Sequence, residues 1–238
     1  MSLRILFLVA SGVLIFTEPA QAQELGTQLV VNGGAETGDT TGWESGGIDA
    51  FEPDSAAAGF GEFVFTGNTG PATQTLEQEI DVSKFAAAVD SQDLILNIGV
   101  QLQARTGGGT FDSATASFSF LDSDRLEIQT ITYTDDFDNE WDFYGTTVNA
   151  PFGTRFLSIL LTTTRNAGSL SDGHFDEVSV IASLPGDMNC DGAIDLLDVA
   201  AFVEVLSAGT FTPKADINED GVVDLLDVAP FVDLLTGG

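Results

Sequence analysis

The sequence predicts an all-β sandwich followed by a small α-helical domain, and three observations support this fold class. Apolar and polar residues alternate between about residues 28 and 183. Clusters of turn-forming residues interrupt these runs at 32–34, 67–71 and 106–109. After residue 186 the alternation gives way to an internal repeat that carries a helical apolar stripe. Several short alternating strands separated by turns are typical of an antiparallel sandwich.

Composition limits the kinds of partner that this chain can have. Its 238 residues include 37 acidic and 7 basic side chains, which gives a net charge of −30. Such a charge argues against nucleic acid as a partner, because few cations are present to replace counterions on phosphates. It argues equally against an anionic membrane surface. Hydrophobic residues make up 43% of the chain, which is enough for a core and argues against a wholly disordered acidic protein.

The first 22 residues are predicted to form a secretory signal peptide. Arg4 supplies a positive charge, and residues 5–16 form an apolar segment too short to span a bilayer. Ala20-Gln21-Ala22 fits the small-x-small cleavage pattern, so we expect cleavage before Gln23. The alternative is an uncleaved N-terminal anchor. No later segment approaches about 18 continuous apolar residues, so we predict a secreted protein, extracellular or attached to a cell surface, without a membrane span in its mature chain.

Residues 23–184, called the sandwich below, contain the alternating segments. One stretch places five apolar side chains on one face of a strand, and further stretches repeat the pattern. The residues concerned are Leu94, Leu96, Ile98, Val100 and Leu102, then Ala116, Phe118 and Phe120, then Leu157, Ile159 and Leu161, and finally Val178 and Val180. The threonine-rich run 130–134 also suits a strand. Only a turn near 83–88 has a helical pattern.

Residues 185–238, called the tail below, contain two copies of a twelve-residue unit at 187–198 and 216–227. Both copies follow the pattern D-x-N-x-D-G-x-hydrophobic-D-x-x-D. Each copy leads into apolar residues at helical spacing, which are Val199, Phe202, Val203 and Leu206 in one and Val228, Phe231, Val232 and Leu235 in the other. Because helices this short are marginal alone, we expect the two copies to pack face to face.

The spacing of the oxygen-bearing residues in each unit is that of a calcium-binding loop. Calcium takes six to eight oxygen ligands, which such loops supply from positions 1, 3, 5, 7, 9 and 12, with a glycine turn at position 6. In the first loop these positions are Asp187, Asn189, Asp191, Ala193 through its backbone carbonyl, Asp195 and Asp198. In the second they are Asp216, Asn218, Asp220, Val222 through its backbone carbonyl, Asp224 and Asp227. The alternative is an acidic linker, but two copies in register argue against coincidence.

This pair of loops resembles the type I dockerin family. Members have two loop–helix repeats, an Asp at position 12 and only the exiting helix of an EF-hand. The resemblance covers about residues 186–238. It implies calcium-dependent docking to a cohesin-like module on a scaffold or cell-surface protein, in association with polysaccharide-degrading enzymes or binding modules. Members that bind cellulosomal cohesins typically carry Ser or Thr at positions 10 and 11. Here those positions are Leu196, Leu197, Leu225 and Leu226, which predicts a more apolar docking face.

Two short motifs in the sandwich resemble carbohydrate-binding modules of the galactose-binding-like jelly-roll type. Residues 29–38 with Gly42-Trp43 match the start of such modules, and residues 173–180 match their last strand. The resemblance implies a polysaccharide ligand and a structural calcium ion held by Glu36 and Asp176. The alternative is that both carboxylates are ordinary acids at strand ends.

Trp141 and Tyr144 are the candidates for glycan contact, because sugar sites use aromatic faces, and surface packing is the alternative. His174 is predicted to lie on a strand surface. No G-x-S-x-G, H-E-x-x-H or P-loop motif is present, so we predict recognition and attachment and name no catalytic residue. Two alternatives stay open, an extracellular polysaccharide hydrolase of the O-glycosyl hydrolase class and a structural cell-surface or matrix protein.

Overall fold

The computed structural model describes residues 25–53, 59–105, 110–135 and 137–237. The predicted signal peptide lies outside these residues. The described part contains two five-stranded antiparallel sheets, one short helix between strands and two helices in the tail. The predicted all-β jelly-roll sandwich followed by a small helical region is therefore confirmed.

Ten strands form the two sheets. In chain order they are β1 (Glu44–Gly46), β2 (Asp49–Phe51), β3 (Val64–Thr66), β4 (Thr73–Asp81), β5 (Ile95–Ala104), β6 (Ser113–Leu121), β7 (Glu127–Thr134), β8 (Asp142–Asn149), β9 (Phe156–Thr164) and β10 (Gly173–Ser183). Sheet I has the order β1-β4-β9-β6-β7, and sheet II has the order β2-β3-β10-β5-β8. A 3-10 turn (Ser83–Phe85) and helix α1 (Ala86–Ser91) connect β4 to β5, where the sequence predicts a helical turn.

The core of the sandwich lies between the two sheets. Alternate residues of β5, β6 and β9 are buried there, as their spacing predicts. These residues include Leu96, Ile98, Val100 and Leu102 of β5, Phe118 and Phe120 of β6, and Leu157, Ile159 and Leu161 of β9. Each large apolar side chain buried in this way contributes about 1.5–3 kcal/mol to the free energy of unfolding. The intervening residues of β5 therefore lie on the outer face of sheet II.

The tail has its own hydrophobic cluster, separate from that of the sandwich. It is built around the helices α2 (Asp198–Ala208) and α3 (Val228–Thr236). The rings of Phe202 and Phe231 stack with their centroids 4.1 Å apart, which confirms that the two repeats pack face to face. Val203 and Val232 belong to the predicted stripes but are about half exposed. The contact between the helices is centred on the two rings. Val203 and Val232 follow these rings in the sequence and therefore remain partly in solvent.

The first loop of the tail contacts the sandwich closely. A Cβ atom on Gly26 would lie 2.2 Å from the carbonyl carbon of Asp191, and one on Gly192 would lie 2.4 Å from the carbonyl oxygen of Leu25. The side-chain amide of Asn97 on β5 also donates to the Sγ atom of Cys190 at 3.4 Å. The two glycines thus permit an approach of backbone to backbone that side chains would block.

Within the described part of the chain, no helix is long and apolar enough to cross a membrane.

Candidate functional site

The first acidic loop of the tail is organised around its last carboxylate, Asp198. This side chain is fully buried. Its Oδ1 atom accepts hydrogen bonds from the backbone N–H groups of Met188 at 2.7 Å and Asn189 at 3.1 Å. Its Oδ2 atom accepts from the N–H of Asp195 at 2.9 Å. Position 12 of the loop is therefore held against positions 2, 3 and 9.

The remaining oxygens of the loop form a second set of bonds to its backbone. Asp187 accepts from the N–H groups of Asp191 at 3.1 Å and Gly192 at 3.2 Å. Asn189 accepts from the N–H of Asp191 at 2.9 Å, and Asp191 accepts from the N–H of Ala193 at 3.0 Å. Burial, together with the neighbouring carboxylates of Asp198 and Asp191, raises the pKa of Asp187 above its ordinary value. The first loop thus concentrates negative charge in a small volume.

The second loop repeats this geometry at every corresponding position. Asp227 is fully buried and accepts from the N–H groups of Ile217 at 2.8 Å, Asn218 at 3.1 Å and Asp224 at 2.9 Å. Asp216 accepts from the N–H groups at positions 5 and 6, at 3.1 and 3.0 Å. The two loops therefore have the same hydrogen-bonded structure.

The donor chemistry of both loops suits calcium. All predicted side-chain ligands are Asp or Asn oxygens, which are the hard donors that calcium prefers. Buried carboxylates such as Asp198 and Asp227 are costly unless a partner compensates their charge. In the structure the loop oxygens bond to backbone N–H groups, and across the described residues no set of three or more His, Cys, Asp or Glu side chains is arranged to hold a metal ion. The loops therefore bring the predicted ligands together without forming a closed coordination shell.

The four predicted docking leucines lie at the surface of the tail. Leu196 and Leu197 are 80% and 67% exposed, and Leu225 and Leu226 are 78% and 65% exposed. In both loops the N–H of the second leucine donates to the position-9 carboxylate at 2.7 Å, which fixes the turn that carries the pair. The two pairs are therefore presented equally by the two repeats.

A cluster of carboxylates lies on β10, the central strand of sheet II, and in the segments that contact it. Asp176 on β10 is fully buried and accepts from the N–H groups of Phe60 at 2.9 Å and Glu177 at 2.7 Å. Glu36 accepts from the N–H groups of Glu62 at 3.0 Å and Phe63 at 3.1 Å. Both predicted carboxylates are thus bound to the same segment, residues 60–63.

Glu177 is a third member of this carboxylate cluster, and the sequence motif did not single it out. A Cβ atom on Gly34 would lie 3.4 Å from Oε1 of Glu177, 3.5 Å from Oδ1 of Asp176 and 3.7 Å from Cγ of Glu36. The pairing of β10 with β5 is irregular between Asp176 and Ser179, and Glu177 has a positive φ of 47°. This bulge turns Glu177 toward the cluster, whereas a regular strand would point it to the opposite face.

The stability of the calcium-free sandwich is expected to fall by a few degrees in melting temperature as the pH rises from about 4 to about 6. Burial, with the charges of Glu177 and Glu36, raises the pKa of Asp176 from 3.8 to about 6. The folded state therefore keeps a proton that the unfolded state releases, and stability declines with pH over that window. Calorimetric melting with and without Asp176→Asn measures the effect, and an identical slope in both proteins would contradict it.

Trp141 and Tyr144 do not share a surface. Tyr144 packs against the core, with its ring 5.9 Å from that of Tyr133. Trp141 lies on the outer side of sheet II, with its ring 6.3 Å from His174 and 6.0 Å from Phe60. His174 is only 6% exposed, so its prediction as a strand-surface residue is wrong, because the segment before β8 covers it. Phe60 is a neighbour that sequence reasoning missed.

Comparison with known families gives one match, in the tail. Residues 185–231 match the family described as dockerin type I domain. Among curated proteins, none matches the chain.

Several solved structures are similar to the sandwich at low sequence identity. The enzymatically active domain of tailspike protein 4 from bacteriophage CBA120 has a TM-score of 0.48 and 17% identity, covering 66% of this chain and 21% of that one. TmCBM61 in complex with β-1,4-galactotriose has a TM-score of 0.46 and 16% identity, covering 65% and 98%. The module named Family 16 Carbohydrate Binding Module-2 has a TM-score of 0.45 and 17% identity, covering 64% and 99%. The chain thus spans about a fifth of the tailspike structure and nearly the full length of the two modules.

Proposed function

Residues 185–231 form a type I dockerin domain, and we propose that this protein is a secreted attachment protein. Its tail binds calcium and docks to a cohesin-like module, and its sandwich recognises a glycan in polysaccharide binding or degradation. The observation that carries the proposal is the repetition of one hydrogen-bond pattern around Asp198 and Asp227 inside the family match. Residues 1–22 direct export, the sandwich ends at residue 184, and the tail follows.

Each loop of the tail holds one calcium ion in this proposal. The ligands are the side chains at positions 1, 3, 5, 9 and 12 and the backbone carbonyl at position 7, which Ala193 and Val222 provide. Calcium supplies the positive charge that offsets the four carboxylates of each loop. The chain itself supplies the scaffold, because the backbone bonds to Asp198 and Asp227 already hold position 12 against the start of each loop.

The docking face is the pair of exposed leucines in each repeat. Contiguous exposed apolar surface commonly marks an interaction site, and each repeat exposes two adjacent leucines. A partner with an apolar recognition surface, on a scaffold or cell-surface protein, therefore fits better than a polar one. Because both pairs are equally exposed, the partner can engage either repeat, in one of two orientations.

A third calcium ion is proposed for the sandwich, held by Glu36 and Asp176. The burial of Asp176 and the proximity of Glu177 support this assignment, since three carboxylates around Gly34 repel one another without a cation. The ion would tie residues 60–63 to β10 and so stabilise the segment that carries Phe60. The proposed role is structural, because its two ligands hold residues 60–63 against β10.

Glycan recognition is assigned to the sandwich on two grounds. The motifs at residues 29–38 and 173–180 resemble carbohydrate-binding modules, and Trp141 offers an aromatic ring on the outer side of sheet II. Tyr144 supports the strand from the core side and is not part of the contact. When the tail is docked, the sandwich would add to the partner a surface for a polymer that the partner does not bind itself.

Calcium titration by calorimetry tests the proposal. We expect three ions per chain for the full-length protein, one for the variant with both Asp198→Ala and Asp227→Ala, and two for Asp176→Ala. The matched control is Asp233→Asn, which changes an exposed carboxylate of α3 outside the loops and should leave all three sites intact. Absence of any heat of binding at millimolar calcium would overturn the calcium-dependent function.

A further inference from the structure

Strands β7 and β8 lie at the ends of the two sheets, on the same side of the sandwich. Among the described strands, β7 pairs with β6 at the end of sheet I, and β8 pairs with β5 at the end of sheet II. The rings of Tyr133 on β7 and Tyr144 on β8 lie 5.9 Å apart, so the two edges face each other across the core. Because an edge strand leaves a row of backbone N–H and C=O groups outside the ladder, this side presents two such rows, each eight residues long.

These two edges lack the features that usually prevent pairing with another chain. Natural edge strands are short, or carry charges, prolines or bulges. Residues 128–134 and 143–149 contain no charged residue and no proline, although charged residues make up 18% of the chain. On the opposite side of the sandwich, the edge strands β1 and β2 have only three residues each, and each contains an acidic residue. The chain thus protects one side of the sandwich against strand pairing and leaves the other side open.

The hydrophobic core is incompletely covered on the open side. The apolar side chains that pack against the core from β7 and β8 are only partly buried, and they are Ile131, Tyr133, Tyr144 and Val148. Two further apolar side chains of these strands, Ile128 and Phe143, are exposed. Removing apolar surface from water is favourable, so a second protein surface placed against these strands would be stabilised by their burial.

From this arrangement we infer that β7 pairs antiparallel with β7 of a second copy of this chain, and that the two β8 strands meet across the same two-fold axis. An edge that pairs with itself in this way is self-complementary, as a two-fold interface requires. Each sheet then continues from one copy into the other. The dimer has only the short strands β1 and β2 at its outer edges, so assembly stops at two copies.

The area of the open side is sufficient for a dimer. A strand of eight residues is about 27 Å long, and two packed sheets with their side chains are about 20 Å thick. Two copies that meet on this side therefore bury about 1,100 Å² of surface together, slightly more than the ~1,000 Å² expected of a specific interface. The tail leaves this side accessible, because it approaches β8 at its last residue, Asn149, beside Phe211 and Pro213.

The distribution of charge also favours a second copy. Each chain carries a charge of −30, and like charges placed opposite each other destabilise a strand pair. The segments that meet in the dimer are uncharged, so they bring no such pair together. Glu127 and Asp142 are the first residues of β7 and β8. In an antiparallel pair the first residue of each strand lies near the uncharged end of the other strand. The dimer would carry two docking tails and two copies of the sandwich, which increases the avidity for a polymer.

Analytical ultracentrifugation of the full chain without its signal peptide, in calcium, tests the inference. We expect an equilibrium between monomer and dimer in which the dimer fraction rises with protein concentration. It should also rise with salt, which screens the repulsion between the two acidic chains. The double variant Thr130→Glu with Thr132→Glu places like charges near the middle of β7 and should weaken dimerisation at least tenfold. Thr146→Glu on β8 should weaken it severalfold.

The matched control is Thr162→Glu with Thr164→Glu, which makes the same change on β9, in the middle of sheet I. It should dimerise like the unaltered protein, and thermal melting confirms that each variant is folded. A chain that stays monomeric at millimolar concentration in high salt would overturn the inference. Equal weakening by the β7 variant and its control would also overturn it, and so would loss of the dimer when the four docking leucines are replaced with serine.

Hydrogen exchange locates the interface directly. We expect the backbone N–H groups of residues 127–134 to exchange more slowly when the protein is concentrated enough to dimerise. Unchanged exchange there in a protein that does dimerise would place the interface elsewhere and overturn the inference. Slower exchange on addition of a cohesin module, in a chain that stays monomeric, would assign this edge to that partner and equally overturn the dimer.

Discussion

Chelation of calcium with EDTA is expected to abolish most of the helical circular dichroism of the tail while the sandwich stays folded. Each loop crowds four carboxylates together, and α2 and α3 contain only 11 and 9 residues, which is too short for stability on their own. At a calcium concentration 100 times the dissociation constant, each site contributes about 2.7 kcal/mol to the stability of the folded state. Circular dichroism at 222 nm, recorded with and without EDTA, measures the change.

Single substitutions show how much each loop contributes to the calcium-dependent stability of the tail. Asp198→Ala and Asp227→Ala should each remove one ion and lower the melting temperature of the tail, because each also leaves three backbone N–H groups without an acceptor. Asp233→Asn is the control for a lost charge outside the loops. A helical signal that EDTA leaves unchanged would show that the tail folds independently of metal.

Replacing all four docking leucines with serine is expected to weaken binding to a cohesin-like partner at least 100-fold. The few hot-spot residues near the centre of an interface each cost about 2 kcal/mol or more when truncated, and we expect the leucines to act in this way. Because the four side chains are 65–80% exposed, the substitutions should change the stability of the tail by no more than about 0.5 kcal/mol. Surface plasmon resonance against a panel of immobilised cohesin modules provides the measurement.

Variants altered in one repeat separate the two orientations. Leu196→Ser with Leu197→Ser, or Leu225→Ser with Leu226→Ser, should each lower the affinity only about twofold, since one intact face suffices for binding. Phe211→Ser, at an exposed apolar position between the helices, is the control. Loss of all binding in just one of the paired variants would mean that the partner uses a single face.

The tail was largely predictable because its chemistry repeats in the sequence. Aspartates and asparagines at fixed spacing specify which oxygens meet which N–H groups, and both loops obey the same rule. The sequence did not indicate that position 4 adopts a left-handed backbone, with φ of 59° at Cys190 and 58° at Glu219. Residues other than glycine rarely adopt this backbone region, and neither a cysteine nor a glutamate in the sequence predicts it.

The sandwich was predictable where strands are long and one face is buried. β5, β6 and β9 each show a period of two over at least nine residues, which the alternation of apolar residues reveals. β1, β2 and β3 have three residues each, and no periodicity can be read from three positions. β1 and β2 lie at sheet edges and β3 lies between β2 and β10, so their places follow from pairing with strands distant in the sequence.

Contacts between distant segments were beyond prediction from one sequence. Trp141, Phe60 and His174 meet only because two connections fold over the outer face of sheet II. Asp112 illustrates the same limit, since it is one of 37 acidic residues yet is almost fully buried. Its carboxylate accepts from the N–H groups of Asn166 at 2.6 Å and Asp172 at 2.9 Å, which orders the connection before β10.

The close backbone contact at Gly26 and Gly192 bears on how force passes through the molecule. When a flexible linker joins a docking domain to a binding domain, the orientation of the binding domain is not fixed. Each polymer strand must then be bound from a wide range of angles. In this protein the tail contacts the sandwich directly. A bulky residue at either glycine would separate the tail from the sandwich and make the connection between them flexible.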